Sequence, residues 1–234
     1  MRVTVVTTLY NYKRYIGPAI KSFLSQDIKD SEMIVVDDSS TDNPYSVIRK
    51  FKTDRLKYIK LDENRGYSYA KNIGIKNATS EVLVMLDADD MLTENSLSIR
   101  LKKIEMGYDF VHGPVIDLSK GALSESRMTK KWKKTKNPKY VHAQGVMLLK
   151  DIHRKIGLYD ESLRSKSDRE MFYRVFNHGF KTGWVNDHVA IYRKHGKQMH
   201  KSKAKLLIND KLQKIVKAKI EKRKTDLSGL ELLQ

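Results

Sequence analysis

Three carboxylates lie within four residues of one another, at positions 87, 89 and 90, directly after the apolar run VLVML (82–86). Their mutual repulsion would raise the pKa values of these acids unless a positive charge lies among them. Asp87 and Asp89 are two residues apart, so in an extended chain both side chains point the same way. Oxygen ligands in a chain without cysteine favour Mg²⁺ or Mn²⁺, which take their remaining ligands from water and phosphate. Asp89 and Asp90, with Glu94, are equally typical of a capped helix N-terminus.

Two more polar clusters follow strand-like segments. Tyr10 and Asn11 end the first apolar run, and Asp37 and Asp38 end the second, ahead of a hydroxyl-rich turn (39–41). In open α/β sheets, ligands bind beyond the carboxyl ends of the strands. We therefore expect the three clusters to converge on one rim of a sheet.

The first half of the chain alternates apolar runs with amphipathic segments, which is typical of βαβ units on a largely parallel sheet. We predict strands over 2–8, 32–37, 56–61 and 81–87, and helices over 16–24 and 41–51, after Gly66 and from position 93. In the second half we predict a loop over 119–140, a strand over 141–150, a short helix and turn over 151–160, a helix over 168–178, a strand over 185–192 and a basic amphipathic helix over 203–224.

The net charge of +18 is confined to the second half of the chain. Residues 1–119 hold 17 Lys and Arg against 17 Asp and Glu, whereas residues 120–234 hold 29 against 11. Such asymmetry points to a polyanionic partner, namely a nucleic acid, a phosphate-rich glycan or an anionic membrane surface contacted by the C-terminal helix. A lysine-rich solvated surface explains the composition equally well.

The sequence predicts neither a signal peptide nor a transmembrane helix. The longest apolar runs are far shorter than the roughly 20 residues of a transmembrane helix, and the first residues read into a strand rather than a signal peptide. The chain has no cysteine, which excludes disulfides and thiolate metal sites. We expect a cytoplasmic protein without a transmembrane segment, peripheral at the inner membrane face if the C-terminal helix binds lipid.

Four motifs, taken in order, resemble those of the family 2 glycosyltransferases of the GT-A fold. They read Thr8-Leu9-Tyr10-Asn11, Val36-Asp37-Asp38-Ser39-Ser40, Asn64-Arg65-Gly66 through Ala70-Lys71-Asn72, and Asp87-Ala88-Asp89-Asp90. Their order and spacing match the family over residues 2–95. The second half resembles the family less closely, through residues 156–161, through Ser167-Asp168 with Arg174, and through Tyr192-Arg193-Lys194-His195.

The resemblance implies an α/β fold of the GT-A type, with a Rossmann-like, mostly parallel sheet flanked by helices and a basic C-terminal helical extension. Residues 1–118 would form the donor-binding half. Residues 119–200 would form the half of the same domain that binds the acceptor and holds the catalytic base, and residues 201–234 the basic C-terminal helix.

The resemblance also implies site residues, with UDP as the favoured nucleotide. The donor would be bound by Thr8, Leu9, Tyr10, Asn11, Asp38, Gly66, Lys71, Asn72, Asp87 and Ala88, among which Asp38 would accept the N3–H of uracil. Mn²⁺ or Mg²⁺ would be held by Asp87, Asp89 and His195, with His200 as the alternative histidine. Asp168 would be the general base of an inverting transfer.

Two positions depart from the family's pattern. Ser167 replaces a glutamate beside the proposed base, and Lys71 replaces an arginine without offering its bidentate fork for a diphosphate.

The function implied is metal-dependent transfer of a sugar from a nucleotide donor to an acceptor hydroxyl on a polyanion or surface glycan. A glycosyltransferase acting on hydroxymethylated bases of DNA is one alternative. Another is a non-catalytic nucleic-acid-binding module, suggested by Trp132 and Tyr140 among basic residues, which would leave the acidic rim unexplained. A nucleotidyltransferase is disfavoured because no glycine of a phosphate loop precedes Gly17.

Overall fold

The computed structural model describes residues 2–163, 166–196, 198 and 203–234, with only the backbone described over 203–212. The strands are β1 (Val3–Leu9), β2 (Ser31–Asp37), β3 (Leu56–Lys60), β4 (Val82–Asp87), β5 (Met91–Leu92), β6 (Phe110–His112), β7 (Val115–Ser119), β8 (Ala122–Glu125), β9 (Val146–Leu149), β10 (Thr182–Trp184) and β11 (Ala190–Lys194). The helices are α1 (Lys13–Leu24), α2 (Tyr45–Ile48), α3 (Tyr67–Asn77), α4 (Ser96–Glu105), α5 (Arg127–Thr135), α6 (Asp151–Ile156), α7 (Ser167–Asn177) and α8 (Lys203–Lys222), with 3₁₀ turns at Pro138–Tyr140 and Ala143–Gly145.

A seven-stranded sheet forms the centre of the fold, in the order β10-β6-β9-β4-β1-β2-β3. Strand β1 pairs in parallel with both β2 and β4, while β9 is antiparallel to its neighbours β4 and β6. Residues of β1 and β2 are buried throughout, as expected when helices cover both faces of a parallel sheet. Val5 packs in one hydrophobic cluster with α1 and α4, and Val6 in another with α3, α6 and α7.

A second sheet has four strands in the order β5-β11-β7-β8, drawn from well-separated parts of the chain. Strand β11 pairs antiparallel with β5, which directly follows the acidic cluster, and parallel with β7. This pairing brings the end of β11 next to the carboxylates that follow β4.

The prediction of a loop over 119–140 is wrong. The segment contains β8, α5 and a 3₁₀ turn, and Ser126 caps α5 by accepting the backbone N–H of Met128. Only Thr129 and Trp132 of α5 are buried, so the helix has too few apolar residues for a helical period to show in the sequence. The strands predicted over 141–150 and 185–192 are shorter and displaced, at β9 and β11.

Helix α8 lies where the sequence predicts a basic helix, and its end packs on α7. Lys219 and Arg223 contact the Asp160 carboxylate at 2.5 and 2.8 Å, and Arg223 also lies 3.0 Å from Glu170 of α7. We call these four side chains the C-terminal clamp. Among the described residues, no helix is long and apolar enough to cross a membrane.

Replacing Arg223 by methionine should lower the free energy of unfolding by about 1–3 kcal/mol, because Asp160 and the fully buried Glu170 would each lose a charged partner. Urea denaturation measures the change. Lys217→Met, at an exposed position of the same helix, is the matched control and should change stability by no more than about 0.5 kcal/mol. Equal effects of the two substitutions would contradict a stabilising role for the clamp.

The contribution of Asp160 should depend on pH. Burial raises the pKa of this carboxyl, but hydrogen bonds from Lys219 and Ser162 and the charge of Arg223 outweigh burial and lower it to about 2. A lowered pKa stabilises the fold above the unfolded value of about 4 and loses this effect as the pH falls towards 2. The stability difference between the wild type and Asp160→Asn should therefore fall by about half between pH 6 and pH 3. A constant difference across that range would contradict the assignment.

Candidate active site

The strand register brings the three polar clusters together at one rim. Leu9 at the end of β1 is paired with Asp37 of β2, and Thr8 is paired with Asp87 of β4. The convergence expected from the order of the motifs is therefore observed.

Hydrogen bonds connect the turn after β1 to the turn after β2. Asn11 has a left-handed backbone (φ 57°), its N–H donates to Ser40 Oγ at 2.9 Å, and its Oδ1 accepts the N–H of Thr41 at 2.8 Å. Tyr10, in contrast, is 45% exposed. Its ring is available to stack on a planar ligand at the rim.

Asp38 organises the loop that precedes α3. Its two carboxylate oxygens accept the backbone N–H groups of Arg65 and Gly66, both at 2.8 Å. Gly66 has φ +95°, a conformation that side chains other than glycine rarely adopt. The predicted contact between Asp38 and uracil stays a prediction, and it would have to use the oxygen lone pairs that the loop leaves free.

Lys71 lies at the centre of the site. Its ammonium is 1% exposed, lies 4.2 Å from the centre of the Tyr67 ring and 4.9 Å from that of Tyr159, and is 2.5 Å from Asp168 Oδ1. Burial lowers the pKa of Lys71, but the charge of Asp168 and its neighbours outweighs burial and raises it above the ordinary value. Lys71 is therefore a permanent cation in the cleft.

Asn72 is buried beside Lys71 and holds a turn of the second half. Its side chain donates to the Tyr159 carbonyl and to Glu161 Oε1, both at 2.9 Å, and accepts the Tyr159 N–H at 3.0 Å. The predicted donor contact of Asn72 stays a prediction. The contacts observed show how it positions the turn at 159–161.

Sequence reasoning missed two residues that contact Asp87, and one of them, Tyr67, also reaches Asp168. The Tyr67 hydroxyl lies 2.9 Å from Asp87 Oδ1 and 3.2 Å from Asp168 Oδ2. Gln144 Nε2 donates to Asp87 Oδ2 at 2.5 Å. Tyr67 precedes Lys71 by four residues on α3, a spacing that places both on one helix face and could have indicated its role. No sequence pattern marks Gln144.

The other two acids of the cluster meet β11. His195 Nε2 lies 2.9 Å from Asp89 Oδ2 and its ring stacks on Tyr15 at 4.4 Å. The N–H of Arg193 donates to Asp90 Oδ1 at 2.8 Å, and its guanidinium donates to the Asp89 carbonyl. His195 thus lies beside the cluster, and its predicted role as a metal ligand stays a prediction, whereas His200 lies outside the described residues.

Burial raises the pKa values of these three carboxyls above the ordinary value for aspartate. It raises the pKa of Asp87 to about 7, although Lys71 opposes the shift, and the pKa of Asp89 to about 6. Burial and the charges of Asp89 and Asp87 also raise the pKa of Asp90. A further positive charge among the three acids would relieve this cost.

The residues present fit a divalent cation. One oxygen from each of Asp87, Asp89 and Asp90 lies within 4.8 Å of the others. Asp90 Oδ2 is buried and has no hydrogen-bond partner in the described part of the chain. An all-oxygen set with an adjacent imidazole suits Mg²⁺ or Mn²⁺.

A largely parallel sheet with an acidic cluster at its carboxyl rim, completed by a smaller sheet, is the architecture of a GT-A glycosyltransferase. The family model for glycosyl transferase family 2 matches residues 4–166. The chain belongs to this family, and the predicted α/β fold of the GT-A type is confirmed.

The similar proteins include two bacterial enzymes and one solved structure. The chain is 36% identical over 128 residues to the GalNAc(5)-diNAcBac-PP-undecaprenol beta-1,3-glucosyltransferase of Campylobacter jejuni, covering 53% of this chain and 41% of that protein. It is 34% identical over 103 residues to the UDP-Glc:alpha-D-GlcNAc-diphosphoundecaprenol beta-1,3-glucosyltransferase WfaP of Escherichia coli, covering 44% of this chain and 41% of the relative. The structure of S. aureus TarS 1-349 in complex with UDP-GlcNAc has a TM-score of 0.76 at 20% identity, covering 94% of this chain and 66% of that one.

The matches to the two enzymes thus span about two fifths of their length. The likeness to the solved structure shows the fold. Donor, acceptor and metal dependence are matters for proposal.

Asp89→Asn should weaken Mn²⁺ binding at least about tenfold, because the substitution removes a charged ligand from the cluster. Titration followed by the electron paramagnetic resonance of free Mn²⁺ measures the affinity. Asp62→Asn, an exposed acid on the loop before α3, is the control with the same change of charge and should bind Mn²⁺ as the wild type does. Unchanged binding by Asp89→Asn would exclude this residue as a ligand.

Proposed function

We propose that this chain transfers a sugar from a UDP-sugar to an acceptor hydroxyl, in a metal-dependent reaction that inverts the anomeric centre. The observation that carries the proposal is the Tyr67 hydroxyl, which lies within hydrogen-bond distance of both Asp87 and Asp168. A candidate base and the acidic cluster thus face the same space, as a transfer between a diphosphate donor and a hydroxyl requires.

The donor nucleoside would lie along the rim formed by the ends of β1 and β2. Tyr10 offers an exposed ring for the base, and the residues named from the family motifs line the same rim: Thr8, Leu9, Asn11, Asp38, Gly66, Lys71, Asn72, Asp87 and Ala88. UDP is supported by the Escherichia coli relative, whose name gives UDP-Glc as its donor. The neutral balance of residues 1–119 agrees with a donor half over 1–118.

Asp87, Asp89 and His195 would hold Mn²⁺ or Mg²⁺. The ion would neutralise the charge of the departing diphosphate. His195 Nε2 lies 2.9 Å from Asp89 Oδ2, so the imidazole is at hand for the same ion.

Asp168 would act as the general base. Its carboxylate takes the proton of the acceptor hydroxyl while that oxygen forms a bond to the anomeric carbon, and the bond from this carbon to the diphosphate oxygen breaks, leaving its electron pair on the nucleoside diphosphate. A single displacement from the opposite face inverts the configuration. Asp168 is 24% exposed, so an acceptor can reach it, and Lys71 and Tyr67 fix its two oxygens.

The acceptor is proposed to be a surface glycan or its phosphate-bearing precursor. Both relatives carry undecaprenol diphosphate in the names of their acceptors. The +18 charge is confined to residues 120–234, the half that would receive the acceptor over 119–200. An anionic acceptor explains this asymmetry through electrostatic steering.

Asp168→Asn should bind a UDP-sugar as tightly as the wild type and lose turnover by about 10²–10⁴-fold, because an amide cannot accept the proton. A thermal-shift titration of UDP-sugars with and without Mn²⁺ measures donor binding, and nucleotide release with an undecaprenyl diphosphate-linked sugar measures turnover. Glu161→Gln, in the neighbouring turn, is the isosteric control. Full turnover by Asp168→Asn would move the base to another residue, and stabilisation by UDP-sugars that does not depend on metal would contradict the metal requirement.

A further inference from the structure

Segment 120–139 concentrates positive charge outside the acidic rim. It contains eight Lys and Arg and one acid, Glu125. The segment forms the end of the β7–β8 hairpin, strand β8 and helix α5. Strand β8 is an edge strand of the smaller sheet.

The solvent-facing side of α5 is largely cationic. Thr129 and Trp132 are its buried residues and point to the interior. On the opposite side lie Arg127, Lys130, Lys131 and Lys134, at the spacing of one helix face. We call these four residues the basic face. In the described part of the chain, none of the four forms an ion pair with an acid.

An exposed apolar residue lies on β8, the strand that precedes α5. Leu123 is 59% exposed, in a strand whose other members, Ala122 and Ser124, are exposed too. Leu123 and Glu125 are two residues apart in β8, so they share one side of the strand, about 7 Å apart. Glu125 is the residue that Lys133 of α5 reaches at 2.5 Å. Leu123 therefore lies on the side of β8 that is turned to α5.

We infer that the basic face and Leu123 form a docking surface for an anionic lipid bilayer. Each exposed lysine or arginine gains from the negative potential of such a surface, and the interface accommodates the leucine side chain. A phosphate polymer in solution would satisfy the cations but offers no apolar contact for Leu123. The combination of the two therefore favours the bilayer.

The surface is close to the candidate active site along the chain. Lys139, just past the end of α5, is five residues from Gln144, so the chain between them spans at most about 18 Å. Gln144 donates to Asp87. Docking through α5 would hold the acidic rim near the bilayer, without using any residue of the rim.

Membrane binding can be tested without the reaction, so its failure is distinct from failure of the proposed function. The full chain is floated with phosphatidylcholine vesicles containing about a third phosphatidylglycerol, at about 50 and 200 mM salt. We expect binding to these vesicles, weaker at the higher salt, and none to phosphatidylcholine alone. Lys130→Glu with Lys134→Glu should reduce the affinity at least about tenfold. Lys50→Glu with Lys52→Glu, at exposed positions of the first half, makes the same change of charge and should bind as the wild type does.

A label at position 123 tests the orientation. The chain has no cysteine, so Leu123→Cys carries a single environment-sensitive fluorophore. Its emission should shift to the blue on addition of the anionic vesicles and stay unchanged with soluble polyphosphate, whereas a label on Lys50→Cys should stay unchanged with both. Equal affinity of the two charge-reversed variants, or vesicle binding without a shift at position 123, would overturn the proposal. Binding to polyphosphate but not to vesicles would assign the surface to a phosphate polymer instead.

Discussion

One poorly hydrated cleft holds the carboxylates of Asp87, Asp89, Asp90 and Asp168. The surrounding residues must offset the repulsion among these four charges. Lys71 supplies a buried cation against Asp168 and lowers the cost of ionising Asp87. Arg193 and His195 approach the other two acids from β11. Among the described residues, Asp90 Oδ2 is left without a partner. A divalent ion at this position would balance the remaining negative charge.

The second half of the chain is needed to assemble these countercharges. Strand β11 pairs with β5, and through this pairing residues about 100 positions apart in sequence meet at the rim. Helix α7 carries Asp168 at its start, and the C-terminal clamp holds α7 through Glu170. A motif that ends at position 90 therefore depends on contacts from residues as distant as Arg223.

The sequence predicts the first half well because β1, β2 and β4 are buried on both faces and read as continuous apolar runs. The meeting of the polar clusters followed from the parallel order of those strands. The sequence does not predict helix α5, because only two residues form its buried side. It does not indicate Gln144 either, because an isolated polar residue in a 3₁₀ turn gives no periodic pattern. For Asn72 the family motif gave the position, but only the three-dimensional structure shows that its amide is bonded to the turn at 159–161.

Helix α3 also determines how the cleft can move. Lys71 is bonded to Asp168 and Asn72 to the turn at 159–161, so a helix of the first half is fixed to two elements of the second. A hinge motion that separates the two halves would break the ion pair between Lys71 and Asp168. It would also expose several amide hydrogen bonds at once. We therefore expect substrate entry and product exit to involve the segments that border the rim, with the contacts between the halves kept intact.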